Sequence, residues 1–218
     1  MRPSASENLY RDLEQKYGYK EVTLPAGFCL RPLHFDDAQQ VAELEKECFP
    51  PEEAASSAKL EYRLKVCPEL CVGIYKQEFN WDAAIQQDYM GVSARKSMLK
   101  SEVLVGHIHA TKMESPQSID KAMEIGGHDE TGRVIGIHSV AIHPAYRRKG
   151  LAHIMLKDYI ERLYTMFTAD GIAIIVHEQY IPFYEKNGFV SSGPSKSQFG
   201  NGGWFDMYLA FDTYDDVE

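Results

Sequence analysis

Of the 218 residues, the run from Gly136 to Tyr164 constrains the fold most. It opens with Gly136-Ile137-His138-Ser139-Val140-Ala141-Ile142-His143. This segment is β-branched and apolar, with polar side chains alternating at its head, as in a strand with one wet face. Pro144 has no N–H for a sheet ladder and biases His143 towards extended geometry, so the strand ends there. A basic turn follows, Ala145-Tyr146-Arg147-Arg148-Lys149-Gly150, and then Leu151, Ile154, Met155, Tyr159 and Leu163 recur at helical spacing. Strand, turn and helix together predict an anion site. The first N–H groups of a helix have no partner within it, and the dipole there favours negative charge. Gly150 lets the backbone approach a ligand, Ala152 keeps the next turn thin, and Arg147, Arg148 and Lys149 attract a phosphate ester. The turn lacks the Gly-x4-Gly-Lys-Ser/Thr of a P-loop and the three glycines of a dinucleotide-binding turn.

The remainder reads as one α/β (α+β) domain. Strands are predicted over Phe28 to Pro32, Leu70 to Tyr75, Val103 to Met113 and Ile172 to Val176, then at Phe189-Val190 and Trp204 to Phe211. Ile172 to Val176 is continuously apolar, as in a strand buried on both faces. Helices are predicted from Asp36-Asp37 to Cys48, stopped by Pro50-Pro51, and from a Ser56 or Ser57 cap to Pro68. A short helix spans Pro182 to Asn187, with Gly188 after it. Leu9, Leu13 and Tyr17 predict a leading helix, and residues 77–101 and 114–133 read as an excursion and a loop. The domain is expected over residues 23–211, with a 1–22 extension before it and a 212–218 acidic tail after it.

A net charge of −9 argues against nucleic-acid binding, which wants a basic surface. No apolar run reaches the length of a membrane span, and the first residues lack a signal-peptide core, so a cytoplasmic monomer is expected. The four cysteines have no zinc spacing and read as reduced packing groups. His107 and His109 share one face of a strand, but no third ligand is evident in the sequence, and no metal is expected.

Arg147-Arg148-Lys149-Gly150-Leu151-Ala152 resembles the R/Q-x-x-G-x-G/A signature of the GNAT acetyltransferases. Ile137 to His143, Cys67-Pro68-Glu69-Leu70 and Ile181 to Phe189 further resemble the arylalkylamine N-acetyltransferases and their fungal polyamine- and arylamine-acetylating relatives. The likeness runs, with gaps, from about Thr23 to Leu209. It implies a mixed sheet of about seven strands flanked by helices, and acetyl-CoA as co-substrate. By resemblance, Arg147, Arg148, Lys149, Gly150, Leu151, Ala152 and His153 hold the pyrophosphate, and the backbone of Val140, Ala141 and Ile142 pairs with the pantetheine arm.

The same resemblance puts His138 at the second of two histidine bases. The first falls on Gly136, so a two-histidine relay is not expected. Tyr184 stands where the family tyrosine meets the thioester and protonates the departing sulfur. Phe49 and Pro51 occupy a loop covering the amine pocket, and Val176 and Glu178, with His177, lie where the buried strand emerges. The implied activity is direct acetyl transfer to an arylalkylamine or polyamine. The alternatives are a protein lysine or N-terminal acetyltransferase and a non-catalytic acyl-CoA-binding module. Thr23-Leu24-Pro25 resembles a phosphorylated segment that binds 14-3-3 proteins, but Lys20-Glu21-Val22 before it lacks the paired arginines, so that partner is not expected.

Overall fold

The computed structural model of the chain describes residues 23–80, 99–166 and 169–211. Among these residues seven strands make one sheet: β1 (Phe28–Pro32), β2 (Val72–Phe79), β3 (Leu99–Met113), β4 (Val134–Ile142), β5 (Gly171–His177), β6 (Val190–Pro194) and β7 (Trp204–Ala210). Five helices accompany them: α1 (Ala38–Cys48), α2 (Ser57–Val66), α3 (Ile119–Ala122), α4 (Leu151–Met166) and α5 (Ile181–Glu185). The strand order is β1-β2-β3-β4-β5-β7-β6. Only β4 and β5 run parallel, joined through α4, and the other neighbours are antiparallel.

Local chemistry sets most boundaries. The α1 helix ends one residue before the Phe49 cap, because Pro50 cannot continue it. Ser56 caps α2, its side chain accepting from the Lys59 N–H at 3.3 Å, a bond worth about 1 kcal/mol. One face of α4 buries Leu151, Met155, Tyr159 and Leu163 against Ile135, Ile137, Ile172 and Ile174 of the sheet. The buried Tyr159 hydroxyl donates to the Leu70 carbonyl at 2.9 Å, so its polar end is satisfied. The opposite face of the sheet is covered by α1 and α2, whose Val41, Leu44, Leu60 and Leu64 pack on Tyr75 and Leu104.

Several boundaries differ from the sequence reading, among them those of β4, which starts at Val134, and of β6, which runs on to Pro194. A 3-10 turn over Pro68–Leu70 delays β2, which then runs to Phe79, and β3 starts at Leu99 rather than Val103. Residues 114–133 are more than a loop: α3 buries Ile119 and Ala122 against Met113, Val134 and Ala173. Four residues are too few to show a helical period. The leading helix, the acidic tail and most of the 77–101 excursion lie outside the described residues. Among the described residues no helix is long and apolar enough to cross a membrane.

One irregularity shapes the middle of the sheet. His109 pairs with Ser139 and Ala110 with Ile137, so His138 is an extra residue on β4. Such a bulge bends its strand and interrupts the ladder. Beside it, β4 pairs with β5 only from Val134 to Ile137, opposite Gly171 to Ile174. Beyond that point β4 keeps only β3, and β5 keeps only β7. A wedge therefore opens between Ser139–Ile142 and Ile175–His177, and α4 begins just past its β4 side.

Candidate functional site

The turn leading into α4 has the backbone of an anion cradle. Arg148 sits at φ 63 and Gly150 at φ 77, both left-handed. Residues of that hand within a turn draw successive N–H groups together around an anion. Gly150 O accepts from the Ile154 N–H at 3.0 Å, which makes Gly150 the residue before the first helical turn. The N–H groups that follow have no carbonyl four residues earlier within the helix. A Cβ added at Gly150 would meet nothing within 4 Å, so the space it faces is open to a ligand. Arg148 and Lys149 are exposed, Lys149 with Nζ 5.0 Å from the centre of the Tyr146 ring. Arg147 points another way, its Nε donating to the Ile142 carbonyl at 2.9 Å and bracing the end of β4. Leu151 is buried and Ala152 packs on the core, while His153 is half-buried and pushed below the usual imidazole range by burial. Val140, Ala141 and Ile142 form the β4 side of the wedge.

His138 stands on the bulge. Its Nε2 is 2.7 Å from the Thr111 hydroxyl, and that hydroxyl donates its one proton to the Ala122 carbonyl at 3.2 Å. Nε2 must then be the donor to Thr111, which leaves Nδ1 with the free lone pair. Nδ1 has no partner among the described residues. Burial, then the charges of Arg63 and Lys59, push the imidazole well below its ordinary range, so it is neutral near pH 7. Gly136 is packed under α3: a Cβ there would lie 3.0 Å from both Ile119 Cδ1 and Met113 Sδ. A second histidine at that position has no room.

Next to the half-buried His138 the sheet face is polar and buried. His107 and His109 are fully buried with ring centres 4.7 Å apart, and Glu45 from α1 reaches 3.2 Å from His107 Nε2. No group of three or more metal-binding side chains occurs among the described residues. The sequence reading missed Glu45 because its side-chain partners His107 and Ser139 come from strands more than 60 positions away; a carboxylate on the apolar stripe of α1 was the one available signal.

Tyr184 on α5 is 7% exposed and sits edge-on to Phe183 and Phe189, at 5.0 and 5.5 Å between ring centres. Burial, with a smaller effect of Tyr180, pushes the phenol up, so it keeps its proton at any physiological pH. Val176 belongs to the same core cluster as Tyr184, whereas His177 is on the other face of β5. His177 Nε2 lies 2.9 Å from Glu53 Oε1 and its ring stacks on Trp204 at 4.0 Å. Glu53, unmarked by any motif, thus ties the segment after α1 to the end of β5. Phe49 caps α1 and is half-buried; Pro51 and Glu178 are exposed. A separate cleft of about 70 Å³, lined by Gln117, Ile175, Asp206 and Tyr208 among others, includes neither His138 nor Tyr184.

Residues 38–189 match the acetyltransferase (GNAT) family. The serotonin N-acetyltransferase of Macaca mulatta is 27% identical over 184 residues, covering 82% of this chain and 76% of that protein. Among solved structures, the GNAT-like decarboxylase GphF in complex with isobutyryl-CoA superposes with a TM-score of 0.62 at 15% identity, over 84% of this chain and 100% of that one. A spermidine N-acetyltransferase chimera of Vibrio cholerae SpeG and hSSAT gives a TM-score of 0.55 at 17% identity, over 85% and 96% of the two chains.

Proposed function

The chain belongs to the GNAT acetyltransferase family, and from that premise we propose that it transfers the acetyl group of acetyl-CoA directly to the primary amine of an arylalkylamine or polyamine. The observation that carries this reading is the bulge at His138, which puts a neutral imidazole on the residue of β4 just past the last one paired with β5. The likeness to serotonin N-acetyltransferase favours an amine acceptor.

The co-substrate, when bound, supplies an activated thioester; the rest of the chemistry falls to the chain. The N–H groups from Arg148 into α4 hold the diphosphate, and the open space at Gly150 fits it. Arg148 and Lys149 add charge. Backbone groups of Val140 to Ile142 that have lost β5 as a partner are available to the pantetheine amides. A free alkylamine resembles lysine, with a pKa near ~10.4, and must lose a proton to attack. His138 Nδ1 takes that proton, directly or through water, while Thr111 holds the ring. The phenol of Tyr184, still protonated, gives a proton to the departing sulfur. The C–N bond forms as the C–S bond breaks, and the nitrogen sheds a second proton as the adduct collapses to the amide; of the two protons lost by the ammonium one passes through His138 to solvent, and the other replaces the proton that Tyr184 gives to the sulfur of CoA. No cysteine lies in these segments, which fits attack by the amine itself.

The test is to screen the purified chain with acetyl-CoA against tryptamine, phenylethylamine, spermidine and a histone-tail peptide, reading release of free CoA. Turnover with a small amine supports the proposal. Turnover with the peptide alone would move the reading to protein acetylation, and acetyl-CoA binding without turnover on any amine would refute catalysis.

A further inference from the structure

Glu45 is a carboxylate with 1% exposure that the mechanism above does not use. A buried charge is costly unless it is well satisfied, and an apolar residue would fill the same stripe of α1 at less cost. Its bonds reach three other parts of the fold. Oε2 accepts from the Ser139 hydroxyl at 2.8 Å and lies 3.2 Å from His107 Nε2 on β3. Oε1 accepts from the Ala55 N–H at 3.1 Å. Burial works against the charge, but His107, Ala55 and Ser139 outweigh it and hold the carboxyl below its usual range. Arg63, itself buried, adds a nearby positive charge.

Two of these partners sit where the proposed chemistry needs rigidity. Ser139, 3% exposed, directly follows the bulge residue His138, and its hydroxyl is committed to Glu45. Ala55 belongs to the segment between α1 and α2 that also carries Glu53, which meets His177 at the end of β5. We infer that Glu45 is a positioning residue for acetyl transfer: through Ser139 it fixes the bulge that presents His138, and through Ala55 it fixes the segment that closes the amine side of the wedge. This rests on the proposed amine acetylation. A bulge leaves its extra residue, His138, outside the ladder, so the hold on Ser139, the next residue that pairs with β3, helps to set the path of the backbone through His138. A displacement of about 1 Å at a catalytic group can cost on the order of a hundredfold in rate.

Three variants of the full chain test it with the best amine from the screen. Ser139→Ala removes the tie to the bulge and leaves Ala55 in place, so kcat should fall about tenfold while the amine KM holds. Glu45→Ala removes both ties, so kcat falls and the amine KM rises together. Glu45→Gln keeps an oxygen for Ala55 and an amide that donates to the Ser139 oxygen, and should recover most of the loss. In all three, acetyl-CoA affinity by calorimetry should stay within about twofold, with thermal melts fixing the folded fraction. Full kcat in both Ser139→Ala and Glu45→Ala would overturn the inference. A parallel loss of melting temperature, acetyl-CoA affinity and kcat would also overturn it, by making Glu45 merely structural. A wild-type chain inactive on every amine would instead sink the proposed function, and the inference with it.

Discussion

Gly150→Ala separates the two jobs assigned to the turn before α4. At φ 77 a residue with a Cβ pays about 1–2 kcal/mol for the left-handed backbone. For a chain of this size that is a fall in melting temperature of roughly 2–8 °C. No further loss is expected in the free protein, because the new methyl meets nothing within 4 Å. With ligand the balance changes, since the methyl then stands in the space assigned to the diphosphate. Acetyl-CoA affinity should drop by at least about tenfold, equivalent to about 1.4 kcal/mol. Circular-dichroism melts read the first effect and titration calorimetry the second. Arg148→Gly is the control of opposite sign: at φ 63 the arginine is itself strained, so its removal should raise stability by about 1 kcal/mol while weakening binding through the lost cation. Unchanged acetyl-CoA affinity in Gly150→Ala would refute the assignment of this turn.

Further outcomes can be measured on the same protein. Tyr184→Phe removes a buried, protonated donor and should cut kcat by about a hundredfold or more while leaving acetyl-CoA affinity unchanged, as stopped-time assays and calorimetry would show. His138→Ala should lower kcat by a similar factor, most at low pH where the amine is most fully protonated, and a pH–rate series would expose a failure of this trend. Stability should also depend on pH through the buried imidazoles. His109 and His138 are both held well below the ordinary range, chiefly by burial. Below about pH 6.5 the unfolded chain binds protons that the folded one refuses, so stability is lost as pH falls, by about 1.4 kcal/mol per pH unit for each histidine. Glu45, held low in the fold, adds a further loss below about pH 4.5. Urea unfolding at pH 7.5, 6.5 and 5.5 should show the slope, and a flat profile would contradict it.

What the sequence made readable was local. Pro144 ends β4 and Gly150 opens α4 by rules spanning a few residues, and the apolar run from Ile172 marks a central strand. Phe28–Pro32 and Ala38–Cys48 appear where their patterns put them. What stayed hidden depends on pairing across the chain. The bulge at His138 is a one-residue register difference against β3, invisible without its partner strand. The bond from Ser139 to Glu45 joins positions 94 apart. His107 and His109 were legible as one face of a strand, but nothing local says that α1 supplies a carboxylate between His107 and Ser139. The position of β7 between β5 and β6 is likewise a choice of neighbour rather than of conformation.

The short β4–β5 ladder has a mechanical consequence. Four residues on each strand stitch β1–β4 to the β5, β7 and β6 half of the sheet, along a seam that ends at Ile137 and Ile174. A ligand arm lying along the gap would lengthen that seam, acting as a splice between the halves. Amide exchange at Val140–Ile142 and Ile175–His177 should therefore slow on acetyl-CoA binding, well away from the turn assigned to the diphosphate.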